Sequence, residues 1–129
     1  MPLSKSEWLA LEKKAYELRK LTVQTTVWAG SGHFGGGMSV MDLLTVLYHK
    51  YLNIKVEEPQ WEDRDRFILS KGHAAIAYAP VLCDKGFNDV EMLKSFNLPE
   101  LYAIPEIYNA RETASFYKDV EAVQLKYKQ

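Results

Sequence analysis

Two histidines that each follow a glycine are the residues best suited to do chemistry in this chain. His33 lies in the segment SGHFGGGM at 31–38, and His73 ends the segment DRDRFILSKGH at 63–73. Imidazole can hold or move a proton near neutral pH, and glycine lets backbone amides approach a ligand closely. A helix that begins in such a loop also directs its positive end toward a phosphate. The two loops therefore predict a site for a phosphorylated ligand with proton chemistry.

Other interpretations of these loops stay open from the residues alone. His33 could instead cap a helix end, and His73 could begin a helix without any further role. Lys71 either adds charge near a phosphate or is simply solvated. The segment from Gly30 formally matches G-x-G-x-x-G, but a helix precedes it, which argues against a dinucleotide site. The sequence lacks the Gly-Lys-Ser/Thr ending of a Walker phosphate loop. No set of histidine and carboxylate residues in it has the spacing of a metal site.

The first element expected around these loops is a long helix. Ser4 and Glu7 have the spacing of a capping box, and Gly30 is a typical residue just beyond a helix end. We therefore expect a helix from Ser4 to about Ala29. Its buried stripe is expected to contain Leu11, Ala15, Leu18, Thr22 and Thr25.

A second helix is expected after a glycine-rich loop over residues 30–38. Ser39 and Asp42 fit another capping box, which predicts a helix from Val40 to about Leu52. This helix is apolar nearly all round, so we expect it to be deeply buried. His49 lies within it and is interpreted as a structural histidine.

The second histidine loop is expected to follow a strand. Residues 66–70 form a short strand candidate that Gly72 ends, and a helix is expected from His73 to about Asp84. Pro80 would bend or interrupt that helix, and Gly86 suits its end. The preceding charges, DRDR at 63–66, are interpreted as a small ion-pair network rather than as catalytic residues.

The last third of the chain has a different character. Asn88 and Glu91 fit a third capping box that starts a helix to about Phe96. Residues 97–105 are interpreted as a linker and residues 106–129 as a helical tail. The stripe of that tail consists of Phe116, Val120, Val123 and Tyr127. The element order suits the beginning of an α/β layer fold, with too few strands to close it.

Composition narrows the class of protein. The chain has 129 residues, of which 47% are hydrophobic and 26% charged, with a net charge of −1. This balance offers no basic field for nucleic acid and no polybasic patch for a membrane surface. No apolar run approaches the about 18 residues of a membrane helix, so a cytoplasmic protein is expected. The single Cys83 fits a reducing compartment and is interpreted as a buried hydrophobe rather than a nucleophile.

The two glycine–histidine segments carry a resemblance to a known family. From about residue 4 to residue 96 the chain resembles the start of transketolases, especially the amino-terminal subunit of split forms. Phe34 stands where one-chain members usually have proline. The resemblance implies a partial thiamine diphosphate-binding domain of the three-layer α/β fold, from an enzyme that transfers a two-carbon ketol unit between sugar phosphates. It implies catalytic roles for His33 and His73, with cofactor contacts from His73, Gly72, Gly32 and Gly35.

Other parts that the resemblance leads us to expect do not occur in this sequence. The family holds Mg²⁺ with a Gly-Asp-Gly motif and a later asparagine, and Gly-Asp-Gly is absent from the sequence. Oxygen ligands of that kind are what magnesium prefers. A third Gly-His-Pro step is also absent after Phe96. We therefore expect the chain alone to be inactive, with the missing groups supplied by remaining transketolase subunits or by a homo-oligomer.

Two other hypotheses stay open at the level of sequence. The chain could be a truncated or frameshifted product without catalytic function. It could also be an interaction module that uses the helix expected at 106–128. The donor sugar, the acceptor sugar and the oligomeric state are not encoded in any motif that we find.

Overall fold

The computed structural model of the protein describes residues 2–96, and within them it is built of helices. Three α-helices pack against one another, each pair being in contact. Short 3-10 and π-helical turns connect or extend them. The α-helices are α1 (Lys5–Ala29), α2 (Phe34–Val46) and α3 (Ala75–Lys85); the turns are Leu47–Tyr51 (π), Gly72–Ala74 (3-10) and Val90–Ser95 (3-10). None of the helices within residues 2–96 is long and apolar enough to cross a membrane.

The ends of α1 are those predicted from the capping residues. The Ser4 hydroxyl accepts a hydrogen bond from the Glu7 amide at 3.2 Å, and the Glu7 carboxylate accepts one from the Ser4 amide at 2.9 Å. Gly30 ends the helix with a φ of 75°, where glycine avoids the strain of a side chain. The predicted stripe faces the core, with Leu11 half-buried and the other members, Ala15, Leu18, Thr22 and Thr25, buried.

Helix α2 begins earlier than predicted. It starts at Phe34 with His33 as its N-cap, so Ser39 lies inside the helix and the second capping box is wrong. The Ser39 hydroxyl instead donates to the Gly36 carbonyl at 3.1 Å. Burial is also one-sided rather than complete, because Leu43 is 57% exposed. Its buried side contains Gly37, Met41, Leu44 and Thr45.

The predicted strand at 66–70 is not formed within the part of the chain described. A strand requires a neighbour with which to exchange backbone hydrogen bonds, and residues 2–96 include no second strand. Leu69 is buried, whereas Ile68 is 68% exposed. Phe67 packs on the rings of Tyr48 and Tyr78, whose centroids lie 5.9 and 5.6 Å from its own. The α/β class is therefore not observed in these residues.

The charged residues at 63–66 stabilise the preceding loop through hydrogen bonds with backbone groups. Asp65 accepts a hydrogen bond from the Asn53 amide at 2.6 Å and donates its own amide to the Asn53 carbonyl at 2.9 Å. Arg66 donates to the Glu62 carbonyl at 3.0 Å. No ion pair involves residues 63–66 within the described ones, so the predicted ion-pair network is wrong there.

Helix α3 is the central, most buried element. The 3-10 turn Gly72–Ala74 leads into it, Pro80 lies within it without ending it, and Gly86 closes it with a φ of 109°. Residues 76–83 are all buried. Cys83 is among them, as predicted, and burial raises the pKa of its thiol to about 11. A thiol of this kind is a packing residue rather than a nucleophile.

The last described segment differs from its prediction in cap and helix type. Asp89, rather than Asn88, caps it by accepting a hydrogen bond from the Glu91 amide at 2.9 Å. The segment is the 3-10 turn Val90–Ser95 instead of an α-helix. The predicted linker at 97–105 and the predicted helix at 106–128, with Phe116, Val120, Val123 and Tyr127, lie outside the described residues.

Candidate functional site

The structure brings the two predicted histidines into direct contact. Their ring centroids lie 4.5 Å apart and the ring planes are 83° apart, an edge-to-face arrangement. His33 caps the start of α2 and its carbonyl accepts the Gly37 amide at 3.2 Å. His73 lies in the 3-10 turn that leads into α3. Both side chains are exposed, so they are accessible from the surface.

Two glycines make this meeting of the loops sterically possible. A Cβ at Gly32 would collide with Cδ1 of Ile76, and a Cβ at Gly37 would lie 3.1 Å from Cβ of Ala77. A side chain at either position would require its neighbour on α3 to shift, so glycine favours this close approach of the two segments. Gly32, a predicted cofactor contact, is in this structure a packing contact on α3.

The other two predicted glycines lie at the helix starts themselves. Gly35 is in the first turn of α2, and nothing lies within 4 Å of a Cβ placed there, so its backbone borders open space. Gly72 is the first residue of the 3-10 turn that contains His73. Neither glycine adds a side chain to the loop or turn that contains its histidine.

A lysine and a serine that the sequence did not connect also belong to this surface. Lys71 Nζ donates a hydrogen bond to Ser39 Oγ at 2.7 Å. Its Cε lies 3.4 Å from the place where Gly36 would have a Cβ. Lys71 is exposed and contacts the first two turns of α2. This contact was not predicted from the sequence, because the Ser39 hydroxyl had been assigned to a capping box.

The electrostatics of this surface favour an anion. Neither the first turn of α2 nor the 3-10 turn with His73 contains an acidic residue. The amino-terminal end of a helix carries a partial positive charge, and the Lys71 ammonium lies further along α2, where it bonds Ser39 Oγ. A phosphate-bearing ligand fits such a surface.

The same surface does not suit a metal ion. Across residues 2–96, no group of three or more histidine, cysteine or acidic side chains is placed to hold one. Magnesium prefers an octahedral shell of oxygen atoms, and no carboxylate side chain lies in the first turns that form this surface. The residues present therefore fit an anionic group but do not fit Mg²⁺.

The third histidine, His49, is separate from this surface and structural. Its Nε2 lies 3.1 Å from a carboxylate oxygen of Asp84, and Lys14 lies 3.2 Å from the other oxygen. The contact with His49, followed by that with Lys14, lowers the pKa of Asp84. This cluster connects α1, α3 and the π-helical turn.

Comparison with known proteins identifies the class. Residues 11–104 match the family model described as the transketolase, thiamine diphosphate binding domain. The match covers most of the chain, and the chain belongs to this family. The resemblance inferred from the two glycine–histidine segments is thereby confirmed.

Individual relatives agree with this assignment. The chain is 38% identical over 89 residues to a protein of Clostridium sp. (strain MSTE9) named 6-deoxy-6-sulfo-D-fructose transketolase subunit SqwG. It is 39% identical over 83 residues to transketolase 1 of Aliivibrio fischeri. Over 64 residues it is 47% identical to a protein of Rhodococcoides fascians named ferredoxin fas2.

The extent of these matches is partial. The matched regions cover 69%, 64% and 50% of this chain. They cover 32%, 12% and 21% of the respective relatives. The chain thus spans about a third or less of the length of the curated relatives that it matches.

Proposed function

We propose that this chain supplies one part of a thiamine diphosphate site in an enzyme that transfers a two-carbon ketol unit between sugar phosphates. The observation that carries the proposal is the contact between His33 and His73 at the start of α2. Family membership supplies the class of cofactor. The geometry supplies two proton-carrying groups beside a positively charged helix end.

The residues of the surface divide into two roles in this proposal. The diphosphate of the cofactor would lie near the amides of Gly35, at the positive end of α2, and of Gly72, in the 3-10 turn of His73. His33 and His73 would hold or move protons on the substrate and orient the reacting groups. When bound, thiamine diphosphate supplies the group on which the carbon–carbon bond is broken.

Other groups of the active site would come from outside the described residues. The sequence contains no Gly-Asp-Gly motif, and the described part offers no set of side chains for Mg²⁺. Preorganised charges usually contribute much of an enzyme's rate enhancement. We therefore propose that the chain alone has no ketol-transfer activity and that remaining transketolase subunits or a second copy complete the site.

The fold would be completed in the same way. We propose that residues 1–96 form part of a three-layer α/β domain, joined by a linker at 97–105 to a tail at 106–129. In that arrangement residues 66–70 would form a strand and pair with strands supplied from outside the described part. The exposed Ile68 supports this proposal, since a large apolar side chain that is exposed here would be buried in such a sheet.

The substrate class is proposed as phosphorylated sugars. The name of the Clostridium relative refers to a sulfonated fructose and to a subunit. Phosphate and sulfonate are both anionic, and the described surface does not distinguish them. Assays of ketol transfer, run once with a sugar phosphate and once with a sulfonated sugar, therefore test this part of the proposal.

The experiment has a binding arm and an activity arm. Thiamine diphosphate is titrated into the full chain and into His73→Gln, with His49→Gln as the control because His49 lies apart from the site. We expect His73→Gln to weaken binding roughly tenfold, the effect of one lost hydrogen bond to a charged group. His49→Gln should bind as the parent does. Equal binding by all three proteins would contradict the proposed site.

In the activity arm, ketol transfer is measured with the chain alone and after addition of the complementary subunit of a split transketolase. We expect turnover only in the mixture. Robust turnover by the chain alone, with Mg²⁺ and thiamine diphosphate, would refute the proposal that the site is incomplete.

A further inference from the structure

Helix α1 carries a row of large side chains on its exposed side. Tyr16, Val23 and Val27 are 61%, 42% and 68% exposed. Together with Lys20 they have the spacing i, i+4, i+7, i+11, which places four side chains on one face of a helix. The Lys20 ammonium lies 5.0 Å from the centre of the Tyr16 ring, and its stem adds apolar surface. These four residues are the outer row of α1.

The outer row is distinct from the face of α1 that packs on the core. The buried side chains of α1 include Ala15, Leu18, Thr22 and Thr25, and the helix contacts α2, α3 and the 3-10 turn Val90–Ser95. Apolar side chains on two sides are typical of a helix that is covered on both. Since the outer row is exposed among residues 2–96, its cover has to come from outside them.

The sequence that follows the described residues contains a row of the same spacing. The stripe expected for the helix at 106–128 also follows i, i+4, i+7, i+11, with apolar residues at all four positions. Its members are Phe116, Val120, Val123 and Tyr127. Each row therefore spans about 16 Å along a helix axis. Two rows of equal length can pack on each other from end to end, which favours this segment as the occupant.

The point where the described residues end also favours this segment, and it selects an orientation. Lys94 Nζ lies 5.7 Å from the centre of a ring of Trp28, so the chain is beside the carboxyl end of α1 shortly before residue 97. A helix that runs antiparallel to α1 can begin there. A parallel helix in the same register would begin beside Ser6, about 33 Å from Trp28. The linker at 97–105 reaches that far only when it is fully extended.

We propose that residues 106–128 form a helix that packs antiparallel on the outer row of α1 in the same chain. In this register Phe116 lies opposite Val27, and Tyr127 lies opposite Tyr16. The inference goes beyond the proposed function, since none of these residues belongs to the surface of the two histidines. It assigns α1 an interaction surface whose occupant is the chain's own tail.

The first test is disulfide formation in the full chain under mild oxidation. Tyr16→Cys is combined with Tyr127→Cys, which the antiparallel register places opposite each other. Val27→Cys with Tyr127→Cys is the pair for a parallel helix, and Leu43→Cys with Tyr127→Cys is the control, because Leu43 is exposed on α2. The buried Cys83 stays in place, since burial raises the pKa of its thiol to about 11.

We expect the pair at 16 and 127 to form a disulfide within the monomer roughly tenfold faster than either other pair, because docking holds the two thiols at a high effective concentration. Peptide mass spectrometry identifies the bond, and thermal melts establish that each variant is folded. A faster bond between 27 and 127 overturns the antiparallel register. Equal rates in all three pairs overturn docking on α1. A bond at 16 and 127 that forms only between two chains shows that the occupant is a second copy and overturns the inference for one chain.

Hydrogen exchange of the tail gives a second measurement without cysteine variants. Val23→Lys places a charge within the outer row, and Leu43→Lys is the matched control on α2. We expect Val23→Lys to speed exchange of amides 116–127 roughly tenfold, since the docked state loses the burial of one valine. Leu43→Lys should exchange as the parent does. Amides 116–127 that exchange in the parent at the rate of an unstructured chain, or equally fast in both variants, would overturn the inference.

Discussion

At the scale of single residues, the candidate site depends on two glycines as well as on its two histidines. Gly32 and Gly37 bring the loop of His33 against α3 because they have no side chain. The sequence indicated the two histidines and their glycine context, since those residue types are informative locally. It could not indicate that Gly32 packs on Ile76, or that Lys71 meets Ser39, because both contacts join segments distant in the chain.

The first prediction concerns Gly32, with Gly35 as its matched control. Gly32→Ala should lower the free energy of unfolding by about 1–3 kcal/mol, because its Cβ would force Ile76 and the loop apart. Gly35→Ala should leave stability unchanged or raise it by up to about 1 kcal/mol, because it lies in α2 and borders open space. Urea denaturation measures both. Equal effects of the two substitutions would contradict the packing role of Gly32.

At the scale of elements, a helix end could be predicted where its capping contacts lie within one turn. A helix end that depends on packing against another helix could not. The capping box of Ser4 and Glu7 was predicted correctly because all its contacts lie within one turn. The start of α2 at Phe34 was missed because a run of glycines is a poor helix former. That run is nevertheless helical in the structure, where Gly37 packs closely on Ala77.

The second prediction concerns the cluster that connects α1, α3 and the π-helical turn. The contacts of Asp84 with His49 and Lys14 lower its pKa in the folded state. A carboxyl with a lowered folded-state pKa stabilises the fold above its unfolded pKa, near 3.9, and this contribution is lost as pH falls through the folded value. Lys14 Nζ also lies 3.6 Å from a carboxylate oxygen of Glu17, so Asp84 and Glu17 share the positive charge of Lys14.

We therefore expect Asp84→Asn to lower the free energy of unfolding at pH 7 by about 1–2 kcal/mol. The variant should also lose less stability than the parent between pH 5 and the acid limit of folding. Asp63→Asn is the control, because Asp63 is exposed and outside this cluster. Urea denaturation at a series of pH values measures the effect. Parallel pH curves for the parent and Asp84→Asn would show that the cluster makes no pH-dependent contribution.

At the scale of the molecule, the described residues form three packed α-helices with short 3-10 and π-helical turns and contain no strand. The strand at 66–70 was expected from its sequence pattern, yet a strand depends on a partner that residues 2–96 do not supply. The resemblance to transketolases was correct about family membership because it rested on two long, ordered segments. Fold class is a property of the whole sheet, which a single strand candidate cannot establish.

The third prediction follows from the exposed side of this segment. Ile68 is 68% exposed in a segment without regular secondary structure, so we expect the chain alone to self-associate as its concentration rises. Ile68→Lys should shift sedimentation toward the monomer. Leu43→Lys is the matched control, because Leu43 is 57% exposed but lies on α2. If Leu43→Lys suppresses association equally well, the extended segment is not the surface responsible.

The central claim is that His33 and His73 together form the thiamine diphosphate-binding surface of this chain. The most direct measurement is a histidine side-chain NMR titration with thiamine diphosphate in the presence of Mg²⁺, with signals assigned through single substitutions. The account predicts that the signals of His33 and His73 shift together with one binding curve, while that of His49 remains unchanged. A titration in which His33 and His73 do not move, or in which His49 alone responds, would contradict it.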